Sequence, residues 1–135
     1  MPKRYRDWLR QAEADLAAAY DLYRCGHWSW CCFICQQSAE KSIKAILEYY
    51  GRTTRGHNLV ELIKEVEKHV DVPREVVRAC YILNRYYITT RYPNAFVSGA
   101  PVDMFTREDA EEALRYAEEV LKFARRVIQE SFKDC

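Results

Sequence analysis

At 135 residues and 16.0 kDa the chain is expected to be a single domain (1–135) that can close a hydrophobic core without help from disulfides or metals. Its 21 basic and 20 acidic residues nearly cancel, which excludes a surface that binds nucleic acid everywhere and leaves only local patches as candidates. No apolar run approaches the roughly 18 residues of a membrane span, and the opening MPKRYRDW lacks the apolar segment of a secretory signal, so a soluble, cytoplasmic protein with no membrane partner is expected.

Four glycines, four prolines and almost no β-branched alternation predict a chain that is nearly all helix. The first helix covers Tyr5 to Arg24, with Trp8, Ala12, Leu16, Ala19 and Tyr23 in one apolar stripe, and stops at Cys25-Gly26-His27. The second runs from Trp28 to about Tyr50 and stops at Gly51. Its two stripes, one through Cys32, Cys35, Ala39, Ser42, Ile46 and Tyr49 and one through Cys31, Ile34, Ser38 and Ala45, predict a central helix with two neighbours. After the polar loop GRTTRGH, Asn58 and Glu61 have the spacing of a capping box and open a short third helix to about His69. Pro73 starts a fourth helix expected to reach Thr90, with Val76, Cys80, Leu83 and Tyr87 on its core face. Tyr92 to Phe105 is a loop. Thr106 caps the last helix, whose buried stripe is Ala110, Ala113, Ala117, Val120, Ala124 and Val127, with fraying from Ser131 to Cys135. The sum is an all-α, antiparallel four-helix up-and-down bundle with an additional short helix.

The stretch LNRYYITTRYP, Leu83 to Pro93, carries the clearest chemistry. Proline at 93 forces Tyr92 to be extended and sets Arg91 at the helix end. Arginine presents a planar fork that fits phosphate oxygens, and tyrosine presents a ring on which a base can stack. Arg85, Arg91 and Tyr92 are therefore candidate phosphate- or nucleotide-binding residues. Lys41 and Lys44 on the second helix could join them, with Gln37, His57 and Tyr86 as further candidates. Each has a plainer reading. Glu40 and Lys44 form an ordinary i, i+4 pair, Arg85 can bridge to an acidic residue of the last helix, and His57 can act as a local hydrogen-bonding residue. Tyr87 is placed in the core, whereas Tyr86 and Tyr92 flank the arginines and are the candidates for modification. No catalytic residue is assigned.

Cys25, His27, Cys31, Cys32 and Cys35 raise the question of zinc. On one continuous helix, however, Cys32 points about 100° away from Cys31 and Cys35, and no paired CxxC knuckle occurs. Reduced, buried thiols are expected, with no metal and no cofactor.

Trp8 with Ala12 and Asp15-Leu16, QQSAEKSIKAIL from Gln36, GHNL from Gly56, YYITTRYPNAF from Tyr86 and FTREDAEEAL from Phe105 follow one another along the chain. In that order and spacing the chain resembles the HEPN family of small helical domains. The resemblance implies a dimerising helical bundle that handles nucleotides or RNA. Many members are metal-independent ribonuclease toxins using an arginine followed by a histidine. This chain departs from that pattern, because Thr89 to Arg91 stand where the histidine is expected and His27, His57 and His69 all lie upstream. The RYP form resembles the branch found beside minimal nucleotidyltransferases. There the resemblance implies a homodimer paired with that partner in a toxin-antitoxin-type system, with Tyr92 or Tyr86 as a possible acceptor of a transferred nucleotide. A ribonuclease with a non-standard site and a purely structural docking dimer remain the alternatives.

Overall fold

The computed structural model describes residues 4–133, with side chains as far as residue 129. Helix α1 (Tyr5–Arg24) turns at Gly26, where a φ of 80° reverses the chain, and hands over to α2 (Trp28–Tyr49) running antiparallel against it. The two are stitched together along their length. The Ser38 hydroxyl donates to the Ala12 carbonyl at 2.8 Å, the Lys41 ammonium meets Asp15 at 2.6 Å, and the Lys44 ammonium lies 5.5 Å from the centre of the Trp8 ring. Both stripes read in α2 are needed. Cys31, Cys32, Cys35, Ser38, Ala39, Ser42, Ala45 and Ile46 are all buried, because α1 and the third, fourth and last helices pack around this one helix.

The caps sit at the residues assigned to them, Asn58 through its own side chain and Thr106 in a reciprocal pair. The Asn58 side chain accepts from the amides of Val60 and Glu61 to open α3 (Leu59–Glu67). Thr106 and Asp109 cap reciprocally: Asp109 N–H donates to Thr106 Oγ1 at 3.2 Å, and Thr106 N–H donates to Asp109 Oδ2 at 2.8 Å. They start α7 (Arg107–Lys133), which runs past Ser131, where fraying was expected; Asp134 and Cys135 lie outside the described residues. All six residues of its expected stripe are buried. Tyr20 donates to Glu118 at 2.7 Å and Tyr23 to Glu111 at 2.6 Å, so α7 runs antiparallel to α1.

The fourth helix departs from expectation. It is interrupted at Arg85, giving α4 (Arg74–Asn84) and a single turn, α5 (Tyr86–Thr89). Three successive side chains then turn back on the helix: Thr89 donates to the Arg85 carbonyl at 2.7 Å, Thr90 to that of Tyr86 at 2.6 Å, and Arg91 Nε to that of Tyr87 at 3.0 Å. They satisfy carbonyls that a helix end leaves open, and such back-bonding bends helices. Tyr92 is extended (φ −117°, ψ 121°), as its proline neighbour requires. A 3-10 turn (Pro93–Ala95) and a one-turn helix α6 (Pro101–Met104) complete the crossing to α7. The fold is thus the expected four-helix bundle of α1, α2, α4 and α7, with α3 as the additional helix between α2 and α4. Among the described residues no helix is long and apolar enough to cross a membrane.

Candidate nucleotide-binding site

The break at Arg85 decides which side chains reach the site. Tyr87 is rotated off the core face assigned to it, and its ring stacks on the imidazole of His57, centroids 4.6 Å apart and planes 16° from parallel. Tyr86 takes the inward place, edge-on to Phe105 at 5.7 Å. Burial, with Cys32, Asp109 and Glu112 nearby, pushes its phenol well above the ordinary value. The assignments of these two tyrosines are therefore exchanged: Tyr86 packs toward α7, and Tyr87 faces the arginine.

Arg91 is bound into the same surface. Nε and Nη2 both donate to the Tyr87 carbonyl, while the guanidinium lies 4.1 Å from the Phe33 ring centre, 4.8 Å from Tyr87 and 4.9 Å from Tyr92. An arginine has five N–H donors, so part of the fork remains for an anion while three rings hold its plane in place. Phe33 was not singled out from sequence; its signal was its position one helical turn before Gln37, on the face that carries Lys41.

Behind Tyr87 the stack continues into the protein. His57 Nδ1 lies 3.0 Å from both carboxylate oxygens of Glu40, whose side chain is only 5% exposed. Glu40 also receives Lys44 at 3.1 Å and Gln36 at 3.3 Å. The Nδ1 contact favours the tautomer with hydrogen on that nitrogen and leaves Nε2 as the acceptor. Lys44 sits on the covered side of this arrangement: its side chain is 8% exposed, and its ammonium is paired with Glu40. Lys41 is likewise occupied by Asp15, and Gln37 donates to Gln36 at 2.7 Å while standing beside Lys41.

Arg85 is the contrast. It is exposed and forms no ion pair among the described residues, so the bridge to α7 weighed from sequence is not made. It lies with His57, Asn58, Asn84, Tyr87 and Ile88 on an open groove of about 350 Å³ between the start of α3 and the α4–α5 break. The α3 amide donors there are already used, because Asn84 accepts from Leu59 N–H at 2.8 Å and Asn58 takes the next two. The groove's charge therefore comes from side chains.

A profile of the HEPN domain matches residues 5–127 of this arrangement. The chain belongs to the HEPN family. This HEPN chain is 38% identical to TT1696 from Thermus thermophilus, whose crystal structure superimposes with a TM-score of 0.90 over 93% of this chain and 99% of that one. It is 32% identical to ST0689, an archaeal HEPN homologue, with a TM-score of 0.79 over 94% and 99% of the two chains. Among curated relatives it is 27% identical over 133 residues to the protein named "Putative toxin MJ1304" of Methanocaldococcus jannaschii, covering 92% of this chain and 88% of that protein.

Among the described residues no cysteine lines the groove. Cys31, Cys32 and Cys35 are buried in the core, where burial pushes the Cys32 thiol strongly up, and they behave as small apolar residues.

Proposed function

We propose that this HEPN protein is a nucleotide- or RNA-phosphate-binding module, with the phosphate on Arg85 and a base against the Arg91, Tyr92 and Phe33 surface. The observation that carries this reading is the exposed Arg85, which has no ion pair among the described residues and shares a groove with His57 and Asn84. Gln37, one helical turn beyond Phe33, extends the same face along α2. The module works as a homodimer paired with a separate minimal nucleotidyltransferase, in a toxin-antitoxin-type system. The family's RYP branch and the relative named a toxin support that assignment. Tyr92, 47% exposed, is the better acceptor for a transferred nucleotide now that Tyr86 packs inward.

One observation favours a second reading, a metal-independent ribonuclease. His57, although upstream in sequence, lines the groove of Arg85 with its Nδ1 held by Glu40, so Nε2 is the ring nitrogen left to act as a base. Such a site removes the proton from an RNA 2′-hydroxyl, whose oxygen attacks the adjacent phosphorus. The bond to the 5′-oxygen breaks, and that oxygen takes a proton from solvent.

A single experiment separates the two. Purified protein is incubated with mixed RNA in the presence of chelator, and RNA binding and cleavage are followed together for the native chain, Arg85→Ala and His57→Ala. A phosphate contact at Arg85 predicts about 1.5–3 kcal/mol of lost binding in Arg85→Ala, roughly 10- to 150-fold. Native affinity in that variant removes Arg85 from the site. Cleavage by the native chain that is lost in His57→Ala with binding retained selects the ribonuclease; binding without cleavage selects the module.

A further inference from the structure

The loop between α2 and α3 has a second face. Arg52, Thr54 and Arg55 of the loop and the outer side of α3 enclose a cleft of about 590 Å³, larger than the groove at Arg85. Lys64 and Lys68 enter it from α3, along with Glu61 and Glu65, so four cations face two carboxylates. Glu65 is already shared by Lys68 at 2.9 Å and Arg52 at 3.7 Å. Arg55 and Lys64 are exposed and form no ion pair among the described residues, and Glu61 is the carboxylate of the cleft lining that is likewise outside any ion pair there.

The wall of the cleft has a second unusual feature. Thr54 Oγ1 is closed off from solvent and has no hydrogen-bond partner, the one such side-chain atom among the described residues. A buried hydroxyl left unpaired costs about 1–3 kcal/mol, and native structures carry few of them. Here it lies just beneath a cleft wall that carries excess positive charge.

We propose that this cleft is a second phosphate-binding site, and that one nucleic-acid strand occupies it together with the groove at Arg85. The loop itself joins the two. Gly56, at a φ of 96°, turns the chain between Arg55 on the cleft and His57 on the groove. Two residues of chain place the Cα atoms of Arg55 and His57 no more than about 7 Å apart. A mononucleotide brings one phosphate group and fills one site, whereas a strand brings successive phosphates and fills both. The inference extends the phosphate reading of Arg85 but rests on different residues, so either can fail alone.

The test titrates two ligands, a short labelled single-stranded RNA and a nucleoside monophosphate, against the native chain, the exposed double variant Arg55→Ala/Lys64→Ala, and Arg85→Ala, over a series of salt concentrations. The expected result for the double variant is oligonucleotide binding weakened by about tenfold or more at physiological salt. Its dependence of log K on log salt should be shallower by about 1, with mononucleotide affinity unchanged. An oligonucleotide affinity and salt slope equal to native in the double variant would overturn the cleft. A mononucleotide affinity that falls along with the oligonucleotide's would overturn the shared strand. Loss in the double variant with none in Arg85→Ala keeps the cleft and removes Arg85; a native chain that binds no oligonucleotide removes both.

Discussion

Glu40 is the residue on which most of the site's geometry depends. Its carboxylate holds Lys44 and His57 and receives Gln36, all from a position with 5% of its side chain exposed. Removing one partner of a buried pair costs more than the pair contributes, because the other charge is left without solvent or counter-ion. Glu40→Ala is accordingly expected to cost about 3–5 kcal/mol in urea unfolding, with Lys44 stranded beneath Trp8. Adding Lys44→Met to it should restore most of that loss; a double variant as unstable as the single one would place the cost elsewhere. From sequence, the Glu40–Lys44 spacing was legible as a helix-surface pair. Its burial was not, because periodicity locates a face and does not say whether two neighbouring helices close over it.

Among the helices, α2 governs the packing, and small polar side chains do part of that work. The Ser38 hydroxyl reaches the Ala12 carbonyl of α1 at 2.8 Å, and Ser42 returns to the Ser38 carbonyl at 2.9 Å. The Ala12 carbonyl lies in mid-helix and keeps its own intrahelical donor, so Ser38→Ala leaves no orphaned acceptor. The expected cost is only about 1 kcal/mol in chemical denaturation; a loss of several kcal/mol would mean that the hydroxyl fixes the approach of α1 to α2. The α4–α5 break is the other element that matters. The run TTR at 89–91 was read as the end of a continuous helix, yet it caps carbonyls 85–87 with its own side chains and so turns Tyr87 outward and Tyr86 inward. Helical spacing assigned the opposite faces because it carries no information on side chains that compete with the backbone ladder.

For the whole molecule, a buried thiol and a half-buried phenol that stay neutral in the folded state make stability fall at alkaline pH. Burial pushes the Cys80 thiol up to about 12 from an ordinary 9.0. Burial and the hydrogen bond to Glu118 push the Tyr20 phenol up to about 12 from 10.0. A folded-state value above the unfolded one means that unfolding releases protons at high pH. The contribution is therefore complete below about pH 9 and is lost as pH rises from there through 12. The urea midpoint is expected to hold between pH 7 and 8 and to fall steadily above 9; a midpoint that climbs over that range would reverse the sign of these shifts.

Apart from the break at Arg85, the helices and their inner faces were legible in the chain before any packing was known. Apolar residues recurring every three or four positions, Gly26 and Gly51 at the stops, and the caps at Asn58 and Thr106 are local features that act through local physics. All six stripe residues of α7 lie in the core where the spacing put them. The order and spacing of the motifs also carried the family, which a profile over residues 5–127 matches. Which charges are left for a ligand was settled by the packed helices and by nothing short of them. Packing joined Lys41 to Asp15 across 26 residues and His57 to Glu40 across 17, and it left Arg85, Arg55 and Lys64 with no ion pair among the described residues. A charged side chain looks the same in sequence whether or not a partner from another helix neutralises it, and only the approach of α1, α2 and the loop before α3 makes that distinction.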